Sequence, residues 1–198
     1  MQSATNQTIQ IRWHGRGGQG AITAAKVVAE AAFRSGYGGA VMAPTFGTER
    51  RGAPVTTSLK ISHRKIYDLS PITTPDIVVV LDHMIMHEVD VTAGLKPGGW
   101  IILNSPRPVE EHLFPGYRTA VADVTRLGVE AGLRKGIVNT GIIGALGRAS
   151  GLVDIEAFAD QIAVEFTGRR PEANALAARL VYDATQMFDN TTGGSTDA

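Results

Sequence analysis

Apolar and polar positions follow different rhythms along this chain, and each change of rhythm marks an element. Ile9-Gln10-Ile11-Arg12-Trp13 reads as a short strand that runs into Gly15-Arg16-Gly17-Gly18-Gln19-Gly20. Residues 21–33 are rich in alanine and carry Val27 and Val28, which predicts a helix ending near Ser35-Gly36. Residues 39–43 predict a second strand, and Pro44 opens a loop that extends through Gly52. Val55, Thr57, Leu59 and Ile61 then alternate with Thr56, Ser58, Lys60 and Ser62, a period of two with one wet face. His63-Arg64 resembles a turn before Lys65-Ile66-Tyr67, so an antiparallel hairpin is expected at a sheet edge. Ile77-Val78-Val79-Val80-Leu81 is instead a continuous apolar run, the pattern of a parallel strand covered on both faces.

Residues 84–95 predict a further helix. Pro97-Gly98-Gly99 turns the chain into the buried strand Trp100-Ile101-Ile102-Leu103, and another strand is expected over 118–122. Beyond it the pattern is helical over 123–135, 139–150, 154–166 and 172–188, with Asp154 as a cap and Pro171 at a first helical position. Strand and helix alternating over the first part of the chain give an α/β fold: a Rossmann-like, mostly parallel open sheet, with an antiparallel hairpin and a C-terminal helical cluster. No internal repeat or central linker divides the chain, so residues 1–189 are expected to form one domain. The polar residues 190–198 are expected to be a flexible tail.

Composition narrows the chemistry. Of 198 residues 43% are hydrophobic and 19% charged, which suits a globular domain and not a disordered chain. Nineteen basic residues balance nineteen acidic ones, so the broad positive field of a nucleic-acid binder is missing. There is no cysteine, hence no disulfide, no thiolate ligand for an iron–sulfur cluster and no cysteine nucleophile. No apolar run is long enough for a membrane span, and the polar start does not resemble a signal peptide; a cytoplasmic protein is expected.

Gly15-x-Gly17-x-x-Gly20 follows a strand and opens a helix, where such glycines let backbone N–H groups approach a diphosphate. The bland alternative is a close strand–helix crossing with no ligand. A nicotinamide site would carry an acid at the end of the second strand, but Gly39-Ala40-Val41-Met42-Ala43 has none, so NAD is disfavoured. Lys26 stands about two turns into the helix, within possible reach of a phosphate or simply solvated. Glu49-Arg50-Arg51-Gly52 is expected on the crevice side of the sheet, where arginines suit a phosphate or a partner's carboxylate. His83 and His87 would share a helix face near Asp82 and Glu88, a weak metal signal without a third ligand; Asp82 reads better as a cap. Ser105, between Asn104 and Pro106, reads as a turn serine with no histidine assignable to it.

Two long segments, 12–26 from Arg12-Trp13-His14-Gly15 to Lys26 and 46–55 from Phe46-Gly47-Thr48-Glu49-Arg50-Arg51-Gly52 to Val55, resemble the gamma subunits of 2-oxoacid:ferredoxin oxidoreductases. Residues 75–82, 89–96 and 139–145 continue the resemblance in the same order, over about residues 8 to 166. The wording is nearest the pyruvate and 2-oxoisovalerate type, with Thr48 a departure, and relatives acting on oxalate or aryl-glyoxylates share the scaffold. The resemblance implies a complex that cleaves a 2-oxoacid on thiamine diphosphate with Mg2+, passes electrons through [4Fe–4S] clusters to ferredoxin or another acceptor, and transfers the acyl group to coenzyme A. Alpha and beta subunits would bind thiamine diphosphate, and a ferredoxin-like subunit would hold the clusters. This chain would have no catalytic residue or metal of its own and no membrane or nucleic-acid partner. Gly15, Arg16, Gly17, Gly18, Gln19, Gly20 and Lys26 would lie near the coenzyme A diphosphate. Glu49, Arg50, Arg51 and Gly52 would face the same coenzyme or the thiamine subunits. A free-standing NAD(P)-dependent dehydrogenase and a purely structural subunit are the alternatives.

Overall fold

The computed structural model describes residues 8–44 and 51–191. Among these residues seven strands form one sheet in the order β2-β3-β1-β4-β5-β6-β7. They are β1 (Ile9–Arg16), β2 (Gly39–Pro44), β3 (Pro54–Ser62), β4 (Ile77–Val80), β5 (Trp100–Asn104), β6 (Arg118–Ala122) and β7 (Gln186–Asp189). The central β1, β4, β5 and β6 are parallel neighbours, whereas β2, β3 and β7 join through antiparallel pairings. The expected fold class is therefore the observed one.

Both faces of the sheet are covered. Ile77, Val79 and Leu81 join Ile11, Trp13 and Ile102 in a large core under α1 (Ala21–Arg34), α3 (Gly141–Ser150), α4 (Ile155–Glu165) and α5 (Pro171–Ala184). Val78 and Val80 face the other way, packing with Ile101, Leu103, Ile85 and Val109 under two short 3-10 turns, His83–His87 and Val109–His112. The unbroken apolar run is thus a strand buried on both sides. Gly144 sits where α3 crosses α5: a Cβ there would lie 2.0 Å from the Ala178 carbonyl oxygen, so the glycine sets how closely the helices approach.

Four expected elements differ from those observed. Lys65-Ile66-Tyr67 forms no strand; β3 pairs with β1 and β2, and the chain after it lies against Gly38 and Gly39, where a Cβ would meet the His63 and Arg64 carbonyls. The same segment covers the expected wet face of β3: Lys60 is buried, with its ammonium 2.7 Å from Asp68. The 84–95 helix is replaced by the His83–His87 turn and further turns, because Arg12 draws the Val91 and Ala93 carbonyls into its own hydrogen bonds. α2 (Val124–Glu130) stops short of residue 135, and Gly132 follows at φ 91°. The last helix ends at Ala184, after which the chain pairs with β6 as β7. Asp154 does cap α4 by accepting from the Glu156 N–H, and Pro171 does open α5. The expected tail lies outside the described residues from 192 onward.

Candidate functional site

At the C-terminal end of β1 the glycine loop turns through Gly18 (φ 93°) and Gly20 (φ 80°), left-handed angles that a side chain rarely adopts. Gly20 also leaves room for Asn139, since a Cβ on it would sit 2.8 Å from Asn139 Nδ2. Gln19 shapes the turn: its Oε1 accepts from the Arg16 N–H at 2.7 Å, while its own N–H donates to the Arg16 carbonyl at 3.0 Å. The N–H groups of Gly18 and Gly20 have no acceptor among the described residues.

Arg16 does not point a bare charge at this space. Its Nε donates to Asp82 Oδ2 at 2.8 Å and its Nη2 to Glu88 Oε1 at 2.6 Å, and Nη1 donates to the Gly52 carbonyl at 3.2 Å. Two carboxylates balance it, so it locks the glycine loop to the loops before β3 and after β4. Gly17 ties the same regions together, donating to Ala53 O and accepting from the Gly52 N–H. Arg51 lies close by, its Cγ 3.9 Å from where a Cβ on Gly18 would be. Lys26 is held away from the loop by Glu165 at 2.8 Å and Glu30 at 3.8 Å. Glu49 and Arg50 lie outside the described residues.

Beside the loop is a cavity of about 480 Å3 lined by Gly18, Gln19 and Gly20 together with Arg134, Asn139, Arg169, Arg170 and Asn174. The N-termini of α1, α3 and α5 all open into it, and none of the three has a side-chain cap. By contrast α2 and α4 are capped by Asp123 and Asp154. Three helix N-termini without side-chain caps and three arginines thus border one cavity, an arrangement whose electrostatics favour negative charge. Arg169 lies 5.0 Å above the Phe166 ring, and Arg170 donates to the Gly132 carbonyl at 2.6 Å. Arg170 adopts φ 57°, alone among the described non-glycine residues in having a positive φ. Asn174, buried, holds that turn by donating to both the Arg169 and Arg170 carbonyls.

Gln19 and Gly136 also line a second cavity of about 580 Å3 at the ends of β4, β5 and β6. Leu81, Pro106, Val129 and Val138 give it an apolar wall. Asn104 lies there with its Nδ2 already donating to Leu81 O at 2.9 Å and Thr125 Oγ1 at 3.2 Å. The two cavities adjoin at Gln19 and Gly136, one lined by arginines and the other with a less polar wall.

The arginines of this cleft were not singled out by sequence reading. Arg169-Arg170 directly before Pro171 is a usable signal, because cations at a helix N-terminus oppose the helix dipole unless an anion joins them. The sheet order departs from that of a dinucleotide dehydrogenase fold: antiparallel β3 separates β1 from β2, so the second strand of the chain does not lie beside β1 to present a ribose-binding acid to the loop. A profile of the pyruvate ferredoxin/flavodoxin oxidoreductase family matches residues 10–184. The chain belongs to that family. It is 46% identical over 186 residues to the pyruvate/ketoisovalerate oxidoreductases common subunit gamma of Pyrococcus furiosus, covering 91% of this chain and 99% of the relative. The crystal structure of the pyruvate oxidoreductase subunit PORC of Thermotoga maritima is similar at a TM-score of 0.78 and 31% identity, covering 91% of this chain and 98% of that one. A 2-oxoglutarate:ferredoxin oxidoreductase from Magnetococcus marinus with coenzyme A bound shares the fold at a TM-score of 0.69 and 20% identity, covering 89% of this chain and 30% of that chain. Within the oxidoreductase family this chain is thus a gamma-type subunit of a multisubunit enzyme whose chemistry lies in partner subunits.

Two other sequence candidates resolve locally. His83 and His87 sit in a 3-10 turn, where four residues do not bring side chains onto one face, and no three metal-binding side chains cluster among the described residues. Ser105 does meet a histidine, contrary to expectation: His112 Nε2 is 2.8 Å from its Oγ. Burial, with His83 and Arg107 nearby, lowers the His112 pKa. Ser105 is 1% exposed and its Oγ also accepts from the Arg107 N–H, so the pair fastens a turn and offers no open nucleophile. No helix among the described residues is long and apolar enough to cross a membrane.

Proposed function

We propose that this gamma subunit holds coenzyme A for a thiamine-diphosphate-dependent 2-oxoacid:ferredoxin oxidoreductase. The observation that carries the reading is the convergence of three uncapped helix N-termini and three arginines on one cavity. Coenzyme A is polyanionic at its diphosphate and 3′-phosphate and nearly neutral elsewhere. The arginine lobe suits the phosphates, and the lobe walled by Leu81, Val129 and Val138 suits an uncharged portion. Since the Asn104 amide nitrogen is engaged, its oxygen remains to accept a ligand N–H.

Coenzyme A supplies the thiol that receives the acyl group. This chain's residues bind and orient it: the glycine N–H groups and Arg134, Arg169 and Arg170 neutralise phosphate, while Arg16 keeps the loop in shape. Arg51 and Gly52 extend the cationic edge of the loop, with Glu49 and Arg50 next in sequence. Lys26, paired with Glu165, steadies α1 against α4. Thiamine diphosphate, Mg2+ and the [4Fe–4S] clusters belong to alpha, beta and ferredoxin-like subunits in this reading, and electrons leave to external ferredoxin or another acceptor. The absence of cysteine removes the usual thiolate ligands for a cluster here. The oxoacid, pyruvate or a relative, is selected in the thiamine subunits.

Arg134 is exposed and makes no side-chain hydrogen bond among the described residues, so Arg134→Ala removes charge with little structural cost. In the assembled complex it should raise KM for coenzyme A about tenfold, the worth of a charge-assisted phosphate contact. The kcat and iron content should stay unchanged. An unaltered KM would remove the arginine lobe from the coenzyme site.

A further inference from the structure

At the opposite end of α1 from the glycine loop, a cavity of about 670 Å3 opens beside edge strand β2. Phe33, Ala40, Val41, Tyr67 and Val164 line it. Phe33 and Tyr67 are 67% and 85% exposed, an apolar pair far more open than a lone surface aromatic needs to be. Three further observations concern what would cover them. First, β2 pairs with β3 on one side only, leaving its outer edge without a strand among the described residues. Second, Gln161, 2% exposed, also lines the cavity; its Nε2 donates to Glu30, but its Oε1 is buried with no donor among the described residues. Third, Arg34 and Lys65 stand on the rim and meet no carboxylate among the described residues.

We infer that this face docks an extended acidic segment of another subunit of the oxidoreductase. The segment adds beside β2, places an apolar side chain against Phe33 and Tyr67, and covers the buried Gln161. Its carboxylates meet Arg34 and Lys65. Glu30 also lines the cavity but is engaged by Lys26 and Gln161, so Arg34 and Lys65 remain its uncompensated charges among the described residues and a two-fold contact with a second copy of this chain would set them against each other. The site goes beyond the coenzyme reading and is spatially separate from it. α1 has 14 residues, so the two regions lie about 20 Å apart along it. Docking here leaves the cleft open.

The test uses the assembled complex. A carbodiimide, which joins an amine to a carboxylate in direct contact, should link Lys65 to an aspartate or glutamate of a different subunit. In parallel, Arg34→Glu combined with Lys65→Glu alters two exposed side chains and should weaken assembly about tenfold or more at low ionic strength, with the deficit shrinking in salt. KM for coenzyme A in the complexes that do form should stay at the wild-type value, which separates this face from the cleft. Absence of a Lys65 link, a link to a second copy of this chain, or wild-type assembly of the doubly reversed variant would overturn the proposal.

Discussion

His14 lies at the end of β1, 4% exposed, with its Nε2 accepting from Arg12 Nε at 3.0 Å. Burial, reinforced by the Arg12 charge and opposed by Asp90, lowers its pKa to about 4. It is therefore neutral at pH 7, as accepting a hydrogen bond from a guanidinium requires. An unfolded chain takes up this proton near pH 6.5, whereas the folded chain refuses it until about pH 4. Stability present above pH 6.5 is thus lost as pH falls through that window, by roughly 3 kcal/mol at most. His112 is lowered too and acts with the same sign. In His14→Gln, whose side-chain oxygen preserves an acceptor for Arg12, urea unfolding between pH 4 and 6.5 should show a slope smaller by about one proton. An unchanged slope would mean that His14 titrates normally. Arg170 offers a second test at this scale. Its left-handed backbone costs about 1–2 kcal/mol in an ordinary residue, and asparagine tolerates it better. Arg170→Asn should hold or raise the melting temperature while raising KM for coenzyme A. A variant that melts lower, with normal KM, would make Arg170 a structural residue through its bond to Gly132.

Helix ends separate binding from support. Asp123 and Asp154 close α2 and α4 in the ordinary way, whereas α1, α3 and α5 begin uncapped at a shared cavity. The cap at Asp154, the proline at α5 and the glycine loop were legible because each is a local signal of a few residues. Lys65-Ile66-Tyr67 and the 84–95 segment were not, because partners far away in sequence decide them. One segment is drawn across Gly38 and Gly39 and latched by Lys60; the other surrenders its carbonyls to Arg12. The arginines escaped notice for the same reason: Arg134 and Arg169 lie more than a hundred residues from Gly18, and the packing of α5 against α3 and against the segment after α2 brings them together. The α3–α5 packing depends on Gly144. Gly144→Ala should destabilise the chain by about 1–3 kcal/mol in chemical denaturation, since the methyl would strike the α5 backbone and not a movable side chain. Wild-type stability would show that the helices yield freely.

For the whole molecule, the sheet order differs from that of a dinucleotide-binding fold although the glycine loop is of the same kind. β3 occupies the place beside β1, and the helical cluster supplies the cations that face the loop. The result is a cleft at one end of the subunit and an apolar, basic-rimmed face at the other, fitting a chain that works inside an assembly. The resemblance carried by 12–26 and 46–55 reached the family from sequence alone; that Arg134, Arg169 and Arg170 border the same cavity as the glycine loop emerged only from the fold. Hydrogen exchange of the assembled oxidoreductase with and without coenzyme A tests this most directly. Added coenzyme should slow exchange together at residues 18–23, 133–141 and 169–174, three segments remote in sequence that share one cavity. Unchanged exchange in all three, with saturation confirmed by turnover, would contradict the account.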